Sequence, residues 1–287
     1  MTLPEPASVE EQTATLAERY TVRAEAYDAL WSPVIRPVGE HLLNYLPLLG
    51  ANSVLDVGTG AGALLPAIRT KAPTARVVGV DRSPGMLRIA AQKHFGPLAL
   101  MDAQALALAN GQFDVAVVAF VLFHLPYPEQ CLEEVNRVLK EGGMVGAVTW
   151  GEEQWPAADA IWDEELEGAG ARVAALPALE SRSRCNTPQK MKAILEQAGF
   201  VFCTAWTELL EYQWRSEVHF EDQVRRGAQL RLQCLDERAR QACLWRVQER
   251  VSGLGEEQYR YRADVVIATG VKRLKKTRGD RSMPVVD

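Results

Sequence analysis

"VLDVGTGAGALLPAI", Val54 to Ile68, reads as a short apolar strand that runs into a glycine-rich turn and then a helix. The turn satisfies G-x-G-x-x-G/A through Gly58, Gly60 and Ala63. Glycines at these places allow tight turning and let a ligand approach the backbone at a helix N-terminus. Asp56 stands two residues before the first of them. A pyrophosphate held by the turn would meet this carboxylate within a few ångströms. The penalty is roughly a few kcal/mol at an effective dielectric near 20. The stretch therefore predicts an α/β fold whose ligand carries a cation beside its negative group, unless Asp56 is only a turn or cap residue.

Working outward, strands and helices alternate. Val9 to about Leu49 has helical spacing, with Leu16, Tyr20, Ala24, Tyr27 and Leu30 on one face. "SPVIRP" breaks that pattern, and Val38 to Leu48 resumes it. After the turn comes a helix over Ala63 to Lys71. "ARVVGVD" is a second strand, followed by a helix with Ser83 as N-cap and Pro84 at its first position. "PLALMD" is a third strand. "FDVAVVAFVLFHL" is a fourth, nearly continuous in apolar residues, as a parallel strand buried on both faces reads. "PYPEQCLEEVNRVLKEGG" is a helix closed by Gly142 and Gly143, and "MVGAVTW" a fifth strand. Such alternation implies a largely parallel sheet with right-handed crossovers. Beyond it lie a helical insertion from 151 to 186, a capped helix ending at Gly199, a strand near 200–210, helical spacing over 217–252 and a last strand near 259–271.

Two further acids stand at the ends of strands. Asp81 ends the second strand about 20 residues past the turn, where a carboxylate can accept both ribose hydroxyls. Asp102 ends the third, where it can accept from an adenine amino group while the N–H of Ala103 or Gln104 meets a ring nitrogen. Open α/β sheets bind ligands at the carboxyl ends of their strands. S-adenosylmethionine fits the set: its ammonium suits Asp56 and its carboxylate suits the backbone N–H groups of the turn.

The 287 residues are 47% hydrophobic with a formal net charge of -5, enough for one large core and without the basic footprint of a nucleic-acid binder. No apolar run is long enough to span a membrane, and the first residues lack the pattern of a secretory signal. Cys131, Cys185, Cys203, Cys234 and Cys243 are scattered and form no CxxC pair. They read as buried thiols in a cytoplasmic protein, with no metal site expected.

"VLDVGTGAGAL", "VVGVDRSPGMLRIA", "MDAQAL" and "FDVAVVAFVLFHLPYPEQCLEEVNRVLKEGGMV" resemble class I S-adenosylmethionine-dependent methyltransferases of the small-molecule type, the group that includes the ubiquinone/menaquinone C-methyltransferases. The resemblance is close over about 51–150. It implies a Rossmann-like, mostly parallel seven-stranded sheet in the order 3-2-1-4-5-7-6, helices on both faces, an N-terminal helical lid and helical insertions. It implies one domain: a lid over 1–49, a cofactor-binding core over 50–150, an acceptor side with the rest of the sheet over 151–271, and a basic tail over 272–287. On these positions Asp56, Gly58, Thr59, Gly60 and Gly62 hold the methionyl part. Asp81 and Arg82 hold the ribose and flank the adenine, with Met86 nearby, and Asp102 and Ala103 meet the adenine. Ala119 and Phe120 lie near the methionyl end. Tyr20, Arg23 and Tyr27 close over the cofactor.

Methyl transfer from a sulfonium is an in-line displacement that needs alignment and exclusion of water, and a base only where the acceptor must lose a proton. His124 is the candidate base, or a structural histidine beneath its loop. His41, His94 and His219 read as surface groups. Trp31, Trp150, Trp155, Trp162, Trp206 and Trp214 are candidates for an aromatic acceptor pocket or for core. The expected acceptor is a small, flat or apolar metabolite. A tRNA or protein methyltransferase and a non-catalytic S-adenosylmethionine-binding module are the alternatives. Residues 1–10 read as disordered, removal of 1–35 is expected to spare the sheet, and "VKRLKKTRGDR" reads as a solvated tail.

Overall fold

A computed structural model describes residues 8–93, 96–171 and 181–275. Seven strands form one sheet in the order β3-β2-β1-β4-β5-β7-β6. They are β1 Ser53–Val57, β2 Arg76–Asp81, β3 Leu98–Leu100, β4 Phe113–Ala119, β5 Leu139–Gln154, β6 Phe200–Gln213 and β7 Arg260–Lys272. β1 to β5 pair in parallel, and β7 runs antiparallel between β5 and β6.

The pleat divides the core into two layers. Val54, Val115, Val117, Val265 and Ile267 face one layer, shared with Trp31, Val34 and Leu42 from the N-terminal helices and Cys243, Val247 and Val251 from helix Glu237–Ser252. Leu55, Val57, Ala116, Val118 and Val266 face the other, covered by Leu132 and Val135 of helix Pro128–Val138 and by Met191 and Leu195 of helix Pro188–Gln197. The central strands, nearly continuous in apolar residues, are thus buried on both sides, as their sequence requires.

Several boundaries differ from expectation. Helix Val9–Val22 starts in a capping box: Ser8 Oγ accepts from Glu11 N–H (3.2 Å) and Glu11 Oε2 from Ser8 N–H (2.7 Å). Residues 8–10 are therefore ordered; 1–7 lie outside the described residues, as does His94. The chain continues through a π-helical turn, Tyr27–Trp31, into helix Ser32–Leu42. "SPVIRP" opens this second helix rather than breaking the first, because Pro33 stands at its start, where no N–H is needed. The helix after the glycine turn is shorter than expected, Leu65–Lys71. Helix Pro128–Val138 stops before Leu139, and Gly142 and Gly143 lie in an irregular start of β5, where the register with β4 shifts. Trp31 and Val34 belong to the core, so removing 1–35 would open the sheet's cover. Lys272 is tied rather than solvated: its Nζ donates to Arg137 O (3.2 Å) and Leu139 O (2.7 Å). The tail beyond 275 lies outside the described residues. Four cysteines are buried as expected, and Cys234 is exposed.

Candidate active site

A cavity opens at the carboxyl ends of β1, β2 and β4, with about 1160 Å³ of empty space counted out to its mouth. Its wall includes Asp56, Gly58, Thr59, Gly60, Asp81, Arg82, Met86, Asp102, Ala103, Ala119, Phe120, His124, Tyr20 and Tyr27. Fourteen residues singled out in the sequence thus meet in one place. Gly62 shapes the turn from behind, with φ +77° and its N–H on Thr59 O (2.9 Å). Arg23 faces a neighbouring chamber instead.

The turn is built on left-handed backbone at Gly58, Gly60 and Gly62, φ +69°, +55° and +77°. Gly58 and Thr59 donate to Val80 O, which fixes the turn on β2. Asp56 is 2% exposed. Its Oδ2 accepts from Thr59 Oγ1 at 2.7 Å, and no cation pairs with it among the described residues. Burial raises its pKa to about 6, against the Thr59 hydrogen bond and with help from Asp81. Ser32 Oγ, also in the wall, is buried with no hydrogen-bond partner. An uncompensated carboxylate and an orphan hydroxyl in one cavity fit the ammonium and polar groups of an S-adenosylmethionine methionyl end.

The other acids are partly engaged. Asp81 Oδ2 accepts from Gly60 N–H and Oδ1 from Ser83 N–H, both 2.8 Å, so this carboxylate also braces the turn. Asp102 lies two residues past β3, not in it. Its Oδ1 accepts from Gln104 N–H (2.9 Å), and its Oδ2 lies 3.2 Å from Arg82 Nη1. Gln104 N–H is thereby used locally, while Ala103 beside it lies in the cavity wall. Phe120 holds φ +57°, unusual for a bulky residue, and its N–H donates to Val148 O (2.8 Å). That conformation turns its ring between the cavity and Trp150, 4.5 Å away.

The second chamber shares Leu16, Tyr20, Tyr27, Phe120 and His124 with the first. Trp31, Trp150, Trp155 and Phe123 line it, with Arg19, Arg23, Arg182, Arg226 and Glu153. Trp31 is its centre: stacked on Trp155 (6.1 Å, 14°) and on Trp214 (6.3 Å, 18°), and tilted against Trp150. Trp162 does not reach this rim. It lies in the core against Phe220, while Trp206 packs on Tyr45. His219 is buried rather than on the surface, its Nε2 2.8 Å from Asp159 Oδ1. Arg23 was singled out in the sequence and Arg19 lies one helical turn before it, but Glu153, Arg182 and Arg226 had no local signal, since only the fold brings them to this chamber.

His124 meets the hydroxyl of Tyr20 at Nε2, 2.7 Å. Burial, then Arg182 and Arg19, pushes its pKa down to about 3, so it is neutral at physiological pH and a weak base. Burial likewise raises Tyr20 to about 12.

Residues 55–146 match the methyltransferase-domain family model. The ubiquinone/menaquinone biosynthesis C-methyltransferase UbiE of Syntrophotalea carbinolica is 40% identical over 34% of this chain and 44% of its own length. The UbiE of Ralstonia pickettii is 32% identical over 51% of this chain and 66% of its own. The chain thus spans about half the length of these curated relatives. Among solved structures, the [4+2]-cyclase SpnF shares the fold with a TM-score of 0.57 at 16% identity, over 94% of this chain and 98% of that one. Phosphoethanolamine N-methyltransferase 2 of Haemonchus contortus does so at 0.52 and 16%, over 95% and 62%. No described helix is long and apolar enough to cross a membrane. Residues 55–146 thus carry a methyltransferase domain, set in a seven-stranded sheet of the order expected from the sequence resemblance, and the chain is similar to the ubiquinone/menaquinone C-methyltransferases.

Proposed function

We propose that the chain binds S-adenosylmethionine in the first cavity and methylates a small, flat acceptor held in the second. The observation that carries this reading is the shared wall: an acidic, glycine-turned cavity and an aromatic chamber meet at Tyr20, Phe120 and His124. The cofactor supplies a methyl group on a sulfonium, already activated for in-line displacement. The chain's own residues bind and align. Asp56 and the turn take the methionyl end, Asp81 and Arg82 the ribose, Met86, Asp102 and Ala103 the adenine. Tyr20 and Tyr27, on the N-terminal segment, cover the junction and exclude water, in keeping with a lid over 1–49. His124 acts as a hydrogen-bonding wall group for Tyr20 rather than as a general base, since burial keeps it unprotonated and weakly basic.

Calorimetry with S-adenosylhomocysteine and with NAD tests the cofactor, and S-adenosylhomocysteine release with a panel of small aromatic acceptors tests turnover. Binding of S-adenosylhomocysteine and turnover of a small acceptor are expected. Tight NAD binding would sink the cofactor assignment. Binding without turnover on any acceptor would favour a non-catalytic module. Turnover only on tRNA or protein would move the acceptor outside the chamber.

A further inference from the structure

The chain is acidic overall, yet its second chamber is not. Four guanidinium side chains line it against one carboxylate, Glu153. Two of the four are neutralised. Arg182 bonds Glu153, and Arg226 grips Asp222 with Nε on Oδ1 and Nη2 on Oδ2, both 2.6 Å, while lying 4.2 Å over the Trp31 ring. The other two are not. Arg23 donates through Nε to the neutral amide oxygen of Gln229 at 2.7 Å. Neither Arg23 nor Arg19 forms an ion pair with a carboxylate among the described residues. Burial, then Arg19 and Arg226, lowers the Arg23 pKa to about 10; Asp222, already gripped by Arg226, offsets this only in part, so Arg19 and Arg23 face one another without a directly paired carboxylate among the described residues.

Resting on the functional reading above, we propose that the acceptor chamber takes an aromatic carboxylate: a flat ring against Trp31, Trp150 and Trp155, with its anionic group on Arg19 and Arg23. Each half of the ligand answers a feature present in the walls. The indoles in the chamber wall, Trp155 above all at 50% exposure, offer apolar area at low entropic cost. The two unneutralised guanidiniums offer charge-assisted, fork-shaped donors to a carboxylate, and the low dielectric of a half-enclosed chamber strengthens them. A neutral aromatic would gain the stacking and leave the mutual repulsion of Arg19 and Arg23 in place. A polyanion would meet an enclosed pair of cations and a surface of the wrong overall sign. The anchor sits on the segment that carries Tyr20 and Tyr27, so the ligand's charge would also draw the N-terminal helix onto the site.

The test uses the full chain saturated with S-adenosylhomocysteine and two probes of equal shape, 2-naphthoate and 2-naphthamide, followed by tryptophan quenching and calorimetry. The carboxylate should bind about ten- to hundredfold more tightly than the amide. R19Q and R23Q should each reduce that preference severalfold, and R23K should keep part of it. R19Q serves where R23Q loses its bond to Gln229 and with it some stability. Thermal melting and S-adenosylhomocysteine affinity, unchanged in R19Q, separate loss of the anchor from loss of the fold. Equal binding of the two probes, binding of neither, or a preference that survives in R19Q and R23Q would overturn the assignment. Failure of the cofactor reading would appear earlier, as absence of S-adenosylhomocysteine binding.

Discussion

The hydroxyl of Tyr20 and Nε2 of His124 lie 2.7 Å apart and join the N-terminal helix to the loop after β4, at the wall between the two cavities. Both side chains are half-buried, their rings edge-on at 5.3 Å. Tyr20→Phe keeps the ring and removes the hydroxyl, which leaves a buried imidazole nitrogen unpartnered at a cost of about 1–3 kcal/mol. The expected result is a lower melting temperature and a larger loss in kcat than in cofactor affinity. An unchanged melting temperature would show that the contact contributes little.

His124 also sets a pH expectation. Its folded pKa, about 3, lies below the ordinary 6.5, so the unfolded chain takes up its proton first as pH falls. Its contribution to stability is present above about 6.5 and is lost as pH drops toward 3. His124→Gln, which keeps a hydrogen-bonding group, should flatten that acid-side loss. Activity between pH 6 and 8 should show no titration limb near 6.5. A limb there that vanishes in His124→Gln would identify His124 as the base.

Asp56 behaves with the opposite sign. Its folded pKa is raised to about 6, so its protonated form favours the folded state below about 4, and this contribution is lost as pH rises through 6. At pH 7.5 the ligand-free protein holds a buried carboxylate with no cationic partner among the described residues. Raising this carboxyl to about 6 corresponds to no more than roughly 3 kcal/mol. Asp56→Asn should raise the melting temperature of the ligand-free protein at pH 7.5 and weaken S-adenosylmethionine binding at least tenfold. Differential scanning fluorimetry with and without ligand reads both; a destabilised variant would mean that the carboxylate's hydrogen bond to Thr59 outweighs its desolvation.

The acid-lined cavity was legible because local rules decide it, whereas the sheet order came from the family resemblance and not from the strands themselves. A strand buried on both faces must be apolar throughout, and a turn with three left-handed residues needs glycine at Gly58, Gly60 and Gly62. Pro33 was misread because proline forbids the middle of a helix but suits its first turn; Pro37 is carried inside the same helix, against that rule. The acceptor chamber was only half legible. Its tryptophans stood out by size, but nothing near Trp162 says that it turns inward while Trp155 stays half exposed. Arg226 reaches Trp31 across some 200 residues of chain, a relation that no periodicity carries.

Asp81→Ala removes the acceptor expected for the ribose hydroxyls, and also the brace on Gly60 and Ser83 N–H. Two effects should therefore appear together. Affinity for S-adenosylhomocysteine should fall about ten- to hundredfold. The ligand-free protein should also lose stability, because two backbone donors lose a charged acceptor. Asp81→Asn keeps an oxygen for one of them and should recover more stability than affinity. Equal recovery of both would assign Asp81 to the turn alone.

Gly85 decides whether the N-terminal helix can dock. It lies in helix Pro84–Gln92, and a Cβ there would stand 2.5 Å from Thr21 O and 2.6 Å from Thr21 Cα. Those are backbone atoms, which cannot swing aside as a flexible side chain would. Two polar ties fix the same contact: Thr21 Oγ1 lies 2.9 Å from Ser83 Oγ and accepts from Gly85 N–H at 3.4 Å. In helix propensity alone, Gly85→Ala is favourable by about 1 kcal/mol, so its own helix should persist. The clash should instead push Val9–Val22 away and carry Tyr20 off His124. Hydrogen exchange over 12–22 should quicken and turnover should fall, with circular dichroism little changed. Gly50→Ala, whose Cβ would meet nothing within 4 Å, is the control. Unaltered exchange over 12–22 in Gly85→Ala, with full turnover, would mean that the helix is not held at this point and does not govern closure of the site.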